Sequence, residues 1–191
     1  DLPVFYLPHH PVLKKDSTTT KVRPVFDASC SSQNGLSLND CLYAGPSLIP
    51  NLPAILIRFR RWKYAVTADI TKAFLQVGIN TIDQNVHRFL WNDEGTTRIM
   101  RFTRVPFGNK ASPFLLNATL HHHLGIVSAS RVTEEMTLNL YVDDLITGND
   151  DELQACRDLR EAQTILGQAG MKLDKIGSNS KDISELVIHE F

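Results

Sequence analysis

No stretch of this 191-residue chain is long and apolar enough to span a bilayer, and none has the pattern of a secretory leader. Those absences leave no reason to expect a membrane partner. Cysteine is scarce. Cys30, Cys41 and Cys156 are odd in number and lack C-x-x-C spacing, which argues against a disulfide framework or a thiolate zinc site and for reduced thiols in a cytosolic setting. There is no internal repeat and no low-complexity segment. Net charge is nearly absent as well, at −1, which argues against a protein that simply coats nucleic acid. An initiator methionine is missing and the chain stops in "LVIHEF", so the expectation is a piece of a longer polypeptide.

What is present is an ordinary globular composition, 42% hydrophobic and 21% charged, in a length that supports one domain with or without a small appendage. The charge is unevenly spread. Ile55 to Lys110 holds ten Lys/Arg against four Asp/Glu, whereas Glu134 to the end holds five against thirteen. A basic middle can bind phosphate even when the total is near zero, although solvated faces explain the same counts.

"LPHHPVLKKDSTTTKVRPVFDAS" reads as strand, polar turn "KKDSTTTK" and strand. "CSSQNGLSLNDCLYAGPSLIPNLP" is rich in turn formers and reads as a long connection. "PAILIRFRRW" predicts a short helix after Pro53, and "KYAVTADI" a strand followed without a breaker by "TKAFLQVGI". "HRFLWNDEGTTRIMRFTRVP" predicts a hairpin turning over Asn92 to Thr96. Ser112 at the N-cap and Pro113 at the first helical position open a helix over "SPFLLNATLHHHL". "LNLYVDDLIT" reads as strand–turn–strand. "NDDELQACRDLREAQTILGQAG" predicts a second helix, capped by Asn149 or Asp150, ended by Gly170, with a buried stripe of Leu153, Cys156, Leu159, Ala162 and Leu166. "MKLDKI" predicts a last strand. Strands, helix, hairpin, helix and strand in this order imply an α+β fold with a mostly antiparallel sheet. The run His121 to His123 lies on a helix, where neighbours point about 100° apart and three in a row cannot share one ion; it reads as helix surface. His9 and His10, adjacent on a strand, point to opposite faces.

The anomaly is Asp143 and Asp144, side by side in an apolar run. Aspartate is depleted in strands and a carboxylate is expensive to bury alone. At the tip of a tight hairpin both can be presented together, and a divalent cation would remove the cost of crowding them. Asp69, where the apolar strand "AVTADI" ends, is the best third carboxylate. Strand ends that deliver three acids to one place would hold two magnesium ions roughly 4 Å apart, the arrangement that stabilises both the attacking and the leaving oxygen in phosphoryl transfer. Turn capping is the alternative reading of each aspartate taken singly.

"YVDD" between apolar segments resembles the catalytic hairpin of reverse transcriptases, whose pattern is Tyr-x-Asp-Asp. "VTADITKAFLQV" is similar to the first catalytic motif of that family, an aspartate followed five residues later by an aromatic. "RVPFGNKASPFLLNATL" is similar to the next, and "KKDSTTTKVRPVFDAS" resembles the fingers hairpin with its Lys-x-Arg. "GMKLDKI" falls where a later, weaker motif lies. The phrases "LPHHPV", "FDAS", "GLSLND", "PFGNKASPFLLNATL" and "LYVDDLITG" together resemble the BEL/Pao type of long-terminal-repeat retrotransposon.

That resemblance spans nearly the whole chain and implies a reverse-transcriptase-like fingers–palm fold, a mostly antiparallel sheet with helices packed on one face. Residues 1 to about 60 would be mainly fingers and about 61 to 191 mainly palm with some fingers; thumb and RNase H segments are not recognisable. It implies Asp69, Asp143 and Asp144 as ligands of two Mg2+ ions, with Mn2+ as an alternative. Lys21 and Arg23 would contact the incoming triphosphate, a task that suits the planar guanidinium fork. Phe74 would lie under the sugar and exclude a 2′-hydroxyl sterically. Phe107 and Gly108 would line the nucleotide pocket, and Tyr141 would lie near the primer end. Lys175 or Lys172 would approach the leaving pyrophosphate. Taken singly, Lys21 and Arg23 read as solvated charges, Phe74 as core and Gly108 as a turn before a helix. The implied partners are an RNA or DNA template–primer, deoxynucleoside triphosphates and the rest of a Pol polyprotein; the implied location is cytoplasmic retrotransposon particles. Binding to nucleic acid through the basic stretch should weaken with salt. The competing expectations are a decayed or domesticated nucleic-acid-binding module of the same fold, and a metal-dependent phosphohydrolase, for which no water-activating base is evident.

Overall fold

The computed structural model describes residues 3–14, 21–31, 33 and 35–185. In chain order the elements are β1 (His9–Leu13), β2 (Val22–Phe26), α1 (Leu38–Cys41), α2 (Leu52–Phe59), β3 (Tyr64–Ile70) and α3 (Ala73–Gln76). A 3₁₀ helix (Thr81–His87) and β4 (Arg88–Asp93) follow, then β5 (Thr96–Arg101), α4 (Ser112–Ile126), α5 (Arg131–Asn139) and β6 (Leu140–Tyr141). The last are β7 (Asp144–Asn149), α6 (Glu152–Gln168), β8 (Leu173–Ser178) and α7 (Lys181–Glu185). Two compact units result, each from two stretches: Asp1–Pro46 with Phe74–Leu115, and Ser47–Ala73 with Leu116–Phe191.

The second unit carries a four-stranded antiparallel sheet in the order β6-β7-β3-β8. Because side chains alternate along a strand, Val66, Ala68 and Ile70 of β3 share a face with Leu145 of β7 and Leu173 of β8. All five are buried, and α5 and α6 pack on the sheet. Ile55, Leu116, Met136, Leu159 and Leu166 are among the other buried residues of this unit. Each fully buried side chain of this size contributes about 1.5–3 kcal/mol relative to exposure. The opposite face presents Ala65, Thr67 and Asp69 beside Gly148, Ile146 and Asp144, their register partners.

The first unit contains two two-stranded sheets, β1–β2 and β4–β5. Its core is Leu7, Ala28 and Leu38, against which Phe5, Phe26, Leu42, Val86 and Phe102 pack. Phe26, Phe89 and Phe102 meet in edge-on or tilted contacts with centroids 4.7–5.2 Å apart. His9 stacks on Phe26 at 5.1 Å.

Several local expectations need correction. The "CSSQNGLSLNDCLYAGPSLIPNLP" connection contains a helix, α1, because Ser37 and Asp40 form a reciprocal capping box. The hairpin turn is tighter than Asn92 to Thr96: β4 and β5 pair up to Asp93 and Thr96, leaving Glu94 and Gly95, both at positive φ, as the loop. Ser112 is inside α4 rather than its cap. Its hydroxyl donates to the Pro106 carbonyl at 2.7 Å, and Leu115 N–H donates to Ala111 O. The cap of α6 is Asp151, whose carboxylate accepts from Gln154 N–H at 2.8 Å, not Asn149 or Asp150. Leu153 is 69% exposed; the buried stripe of α6 is Ala155, Cys156, Leu159, Ala162, Ile165 and Leu166. The first arm of "LNLYVDDLIT" is only two residues long, because Leu138 and Asn139 belong to α5, a helix the sequence pattern did not announce. "TKAFLQVGI" breaks at Thr71–Lys72 before the short α3. Of the polar turn "KKDSTTTK", residues 15–20 lie outside the described residues, as do residues 186–191. No helix among the described residues is long and apolar enough to cross a membrane.

Candidate active site

Asp69 is the penultimate residue of β3, and its register partner on β7 is Asp144. The N–H of the next residue, Ile70, donates to the Asp143 carbonyl at 2.7 Å. The last rung of the ladder therefore fastens the hairpin tip to the end of β3, and three aspartates separated by some 75 residues of sequence reach one end of the sheet. Tyr141 pairs with Asp144 across the same turn. Val142 and Asp143 form the two-residue loop, with Val142 at φ 59°. A β-branched residue in the left-handed region is strained, on the order of 1–3 kcal/mol, and persists only where its surroundings hold it.

On the other side of β3, β8 carries a bulge. Thr67 pairs with Gly177 and Asp69 with Asp174, so Lys175 and Ile176 stand against the single residue Ala68. Lys175 takes φ 49° there. That kink aims its Nζ at Asp69 Oδ2, 2.7 Å away. Lys172 instead pairs with Asp174 at 3.5 Å. Of the two lysines the sequence left open, Lys175 is seen bonded to Asp69.

Electrostatics follow from the crowding. Burial pushes the Asp143 carboxyl above its usual range, and the Asp69 charge adds to this. Burial does the same to Asp144, helped by the charges of Asp143 and Asp69. Lys175 is pushed up by its hydrogen bond to Asp69 and by that carboxylate's charge. Two acids that resist ionisation beside a third, with one exposed lysine as compensation, make a donor set of hard oxygens that suits a divalent cation. As the side chains are placed, no three His, Cys, Asp or Glu among the described residues are gathered to hold a metal ion. The strands align the three aspartates; the ammonium of Lys175 is what now faces Asp69.

In the first unit, Phe74 and Phe107 meet ring edge to face with centroids 5.0 Å apart. Phe107 is 54% exposed. Gly108 adopts φ 87°, and a Cβ there would fall 2.6 Å from the Phe26 carbonyl oxygen, so no side chain fits. Arg23 lies on β2, exposed, opposite Val12, and Lys21 just precedes that strand. The structure thus joins Phe74, Phe107 and Gly108 to the end of β2, with Lys21 at the strand's other end.

Two clamps on this turn were not foreseen. Asn39 behaves like a strand neighbour: its Nδ2 donates to Gly108 O at 3.0 Å and its Oδ1 accepts from Lys110 N–H at 2.8 Å. Buried His87 receives Asn109 Nδ2 on its Nε2 at 2.9 Å and gives its Nδ1–H to Asp83 O at 3.1 Å, which fixes one neutral tautomer. The capping-box spacing in "SLND" could have revealed α1 and hence placed Asn39; nothing local in the sequence points to His87.

One unit has an antiparallel sheet that delivers acids from two strand ends, and the other bears a Lys/Arg hairpin and an aromatic–glycine turn; the class is a nucleotidyl-transfer type of scaffold. The model described as "Reverse transcriptase (RNA-dependent DNA polymerase)" matches residues 12–176, and the chain belongs to this family. Solved structures agree in fold. The foamy viral protease-reverse transcriptase in complex with RNA/DNA hybrid matches with TM-score 0.67 and 24% identity over 93% of this chain and 21% of that one. The dRH form in complex with ds DNA matches with TM-score 0.67 and 25% identity, covering 88% of this chain and 26% of that one. The native prototype foamy virus protein gives TM-score 0.63 and 25% identity over 88% of this chain and 20% of that one. This chain spans about a fifth to a quarter of the length of those it matches.

Proposed function

We propose that this chain is the fingers–palm portion of an RNA-directed DNA polymerase encoded by a BEL/Pao-type retrotransposon, joining deoxynucleotides to a primer 3′-hydroxyl on an RNA or DNA template. The observation that carries the reading is the register of Asp69 opposite Asp144, with Ile70 N–H on the Asp143 carbonyl. Asp69, Asp143 and Asp144 would hold divalent cations, Mg2+ or Mn2+. Such ions supply Lewis-acid stabilisation of the attacking and leaving oxygens in polymerases.

The remaining work falls to this chain's own side chains. Lys175, which bonds to Asp69, would leave it and offer its proton and charge to a departing pyrophosphate. Lys21 and Arg23 would grip the triphosphate through charge-assisted hydrogen bonds. Phe74, braced by Phe107, would present a flat wall to the sugar. Gly108, whose missing Cβ leaves room for the Phe26 carbonyl, would line the nucleotide pocket with Phe107. Tyr141 would pack at the primer end. Partners would be a template–primer duplex, a reading supported by the RNA/DNA hybrid and ds DNA bound to the foamy viral proteins, together with deoxynucleoside triphosphates and neighbouring parts of a Pol polyprotein in cytoplasmic particles.

A second reading is a nucleic-acid-binding module that has kept the fold without the chemistry. The Lys175–Asp69 ion pair favours it, because it occupies a carboxylate oxygen that a metal would need. Primer extension by the polypeptide that carries this chain separates the two. The polymerase reading expects extension that requires a divalent cation and drops at least about a thousandfold in Asp143→Asn, with template–primer binding retained. Binding without extension in the unaltered protein establishes the second reading instead.

A further inference from the structure

We propose that Arg58 and Asn139 form a clamp that positions the Asp143–Asp144 hairpin for nucleotidyl transfer. The inference rests on the reading of that hairpin as the metal-holding one. The two arms of the hairpin are held unequally. The β7 arm pairs with β3 along its whole length, from Asp144 to Asn149. The other arm, β6, has only the pairs Leu140↔Leu145 and Tyr141↔Asp144. A strained Val142 follows directly. A turn held in an unfavourable conformation needs both arms fixed, so the short arm needs an anchor at its foot.

Asn139, the last residue of α5, is that foot, and it is only 1% exposed. Arg58, in the last turn of α2, gives Nε–H to Asn139 Oδ1 at 2.9 Å and Nη2–H to Leu138 O at 2.6 Å. The second bond satisfies one of the carbonyls that a helix end leaves open. Asn139 Nδ2 donates in turn to Glu135 Oε2 at 2.7 Å. One guanidinium thus fixes both the backbone and the side chain at the start of the arm. Only Leu140 and Tyr141 separate that point from the turn, so a shift at Asn139 reaches Asp143 with little damping. Arg61, which pairs with Glu135 at 3.0 Å with its side chain 51% exposed, lies at the outer end and adds little.

The test uses the full polypeptide that carries this chain. Single-nucleotide extension rates are measured against deoxynucleotide concentration, Mn2+ binding is followed by electron paramagnetic resonance without substrate, and melting is recorded alongside. Arg58→Met is expected to lower the maximal rate about tenfold, because small misplacements of reacting groups carry large rate penalties. The half-saturating nucleotide concentration should stay within about twofold and Mn2+ affinity should fall about threefold or more. Arg58→Lys, which can reach one acceptor but not both, should recover part of the rate, and Arg61→Met should match the unaltered protein. Asn139→Ala combined with Arg58→Met should be no slower than the slower single variant, since both break one clamp. If Arg58→Met fails to fold, Asn139→Ser carries the same measurements. A full rate in Arg58→Met, losses that multiply in the double variant, or rates that merely track melting in the manner of the core variant Ile55→Val would overturn the clamp. An unaltered protein without extension would instead sink the polymerase reading, and an active one with a dead Asp143→Asn leaves that reading standing whatever Arg58 does.

Discussion

At Gly108 two requirements coincide. Its φ of 87° is open to glycine at no steric penalty, and its missing Cβ leaves room for the Phe26 carbonyl. Gly108→Ala meets both obstacles, and neither neighbour is the loose end of a flexible chain. Loss of about 2–4 kcal/mol of stability is expected, read as a lower midpoint in urea at unchanged slope. The same displacement pulls on Asn39, which grips the turn on both sides of Asn109, and so moves Phe107. A midpoint within experimental error of the unaltered protein would show that the turn yields easily and that the glycine is not required there. Lys175 illustrates the opposite case at this scale. Its ion pair with Asp69 is short, but the lysine is 70% exposed, so the pair adds little to stability and its importance lies in what it does to Asp69.

Among the elements, α5 is the instructive one. It opens with Ser130, whose hydroxyl accepts from Thr133 N–H at 3.2 Å while Thr133 Oγ1 accepts from Ser130 N–H at 2.8 Å. Ser130 also donates to Glu161 on α6. Ser130→Ala removes the cap and should cost about 1 kcal/mol, a fall in melting temperature of roughly 2–4 °C for a chain of this size. An unchanged melting curve would mean that packing alone sets the helix start. The sequence hides α5 for a physical reason. Its buried positions are Val132, Thr133, Met136 and Asn139, half of them polar, so the apolar stripe that announces α6 is missing. By contrast β3, α2, the β4–β5 arms and β8 could be read directly, because alternation or punctuation by Pro and Gly marks them. The aspartates were legible as misfits in an apolar run. The choice of Lys175 over Lys172 was not, since it depends on a bulge that reverses strand alternation at one residue. Arg58 and Asn139 meet across 81 positions through hydrogen bonds, which leave no local pattern.

For the whole molecule, stability against pH sums groups whose protonation differs between folded and unfolded chains. Asp143 and Asp144 hold their protons more tightly when folded, so their contribution falls as pH rises above the ordinary carboxylate value of 3.8. His87 acts with the opposite sign and at higher pH. Burial lowers its pKa from the usual 6.5, against the raising influence of the Asp83 carbonyl and charge. Protonation would also turn Nε2, which accepts from Asn109, into a donor facing a donor. The unfolded chain therefore takes up a proton near pH 6.5 that the folded chain refuses. Stability supplied by neutral His87 is fully present above that pH and is progressively lost as pH falls from 6.5 toward the depressed folded value. His87→Gln cannot titrate and keeps an amide able to meet Asn109. The expected result is that the difference in unfolding free energy between the unaltered protein and His87→Gln narrows steadily as pH is lowered from about 7 to about 5, by denaturant titration at fixed ionic strength. A difference independent of pH over that range would mean that His87 titrates alike in both states, and the buried, single-tautomer account of the turn would fail with it.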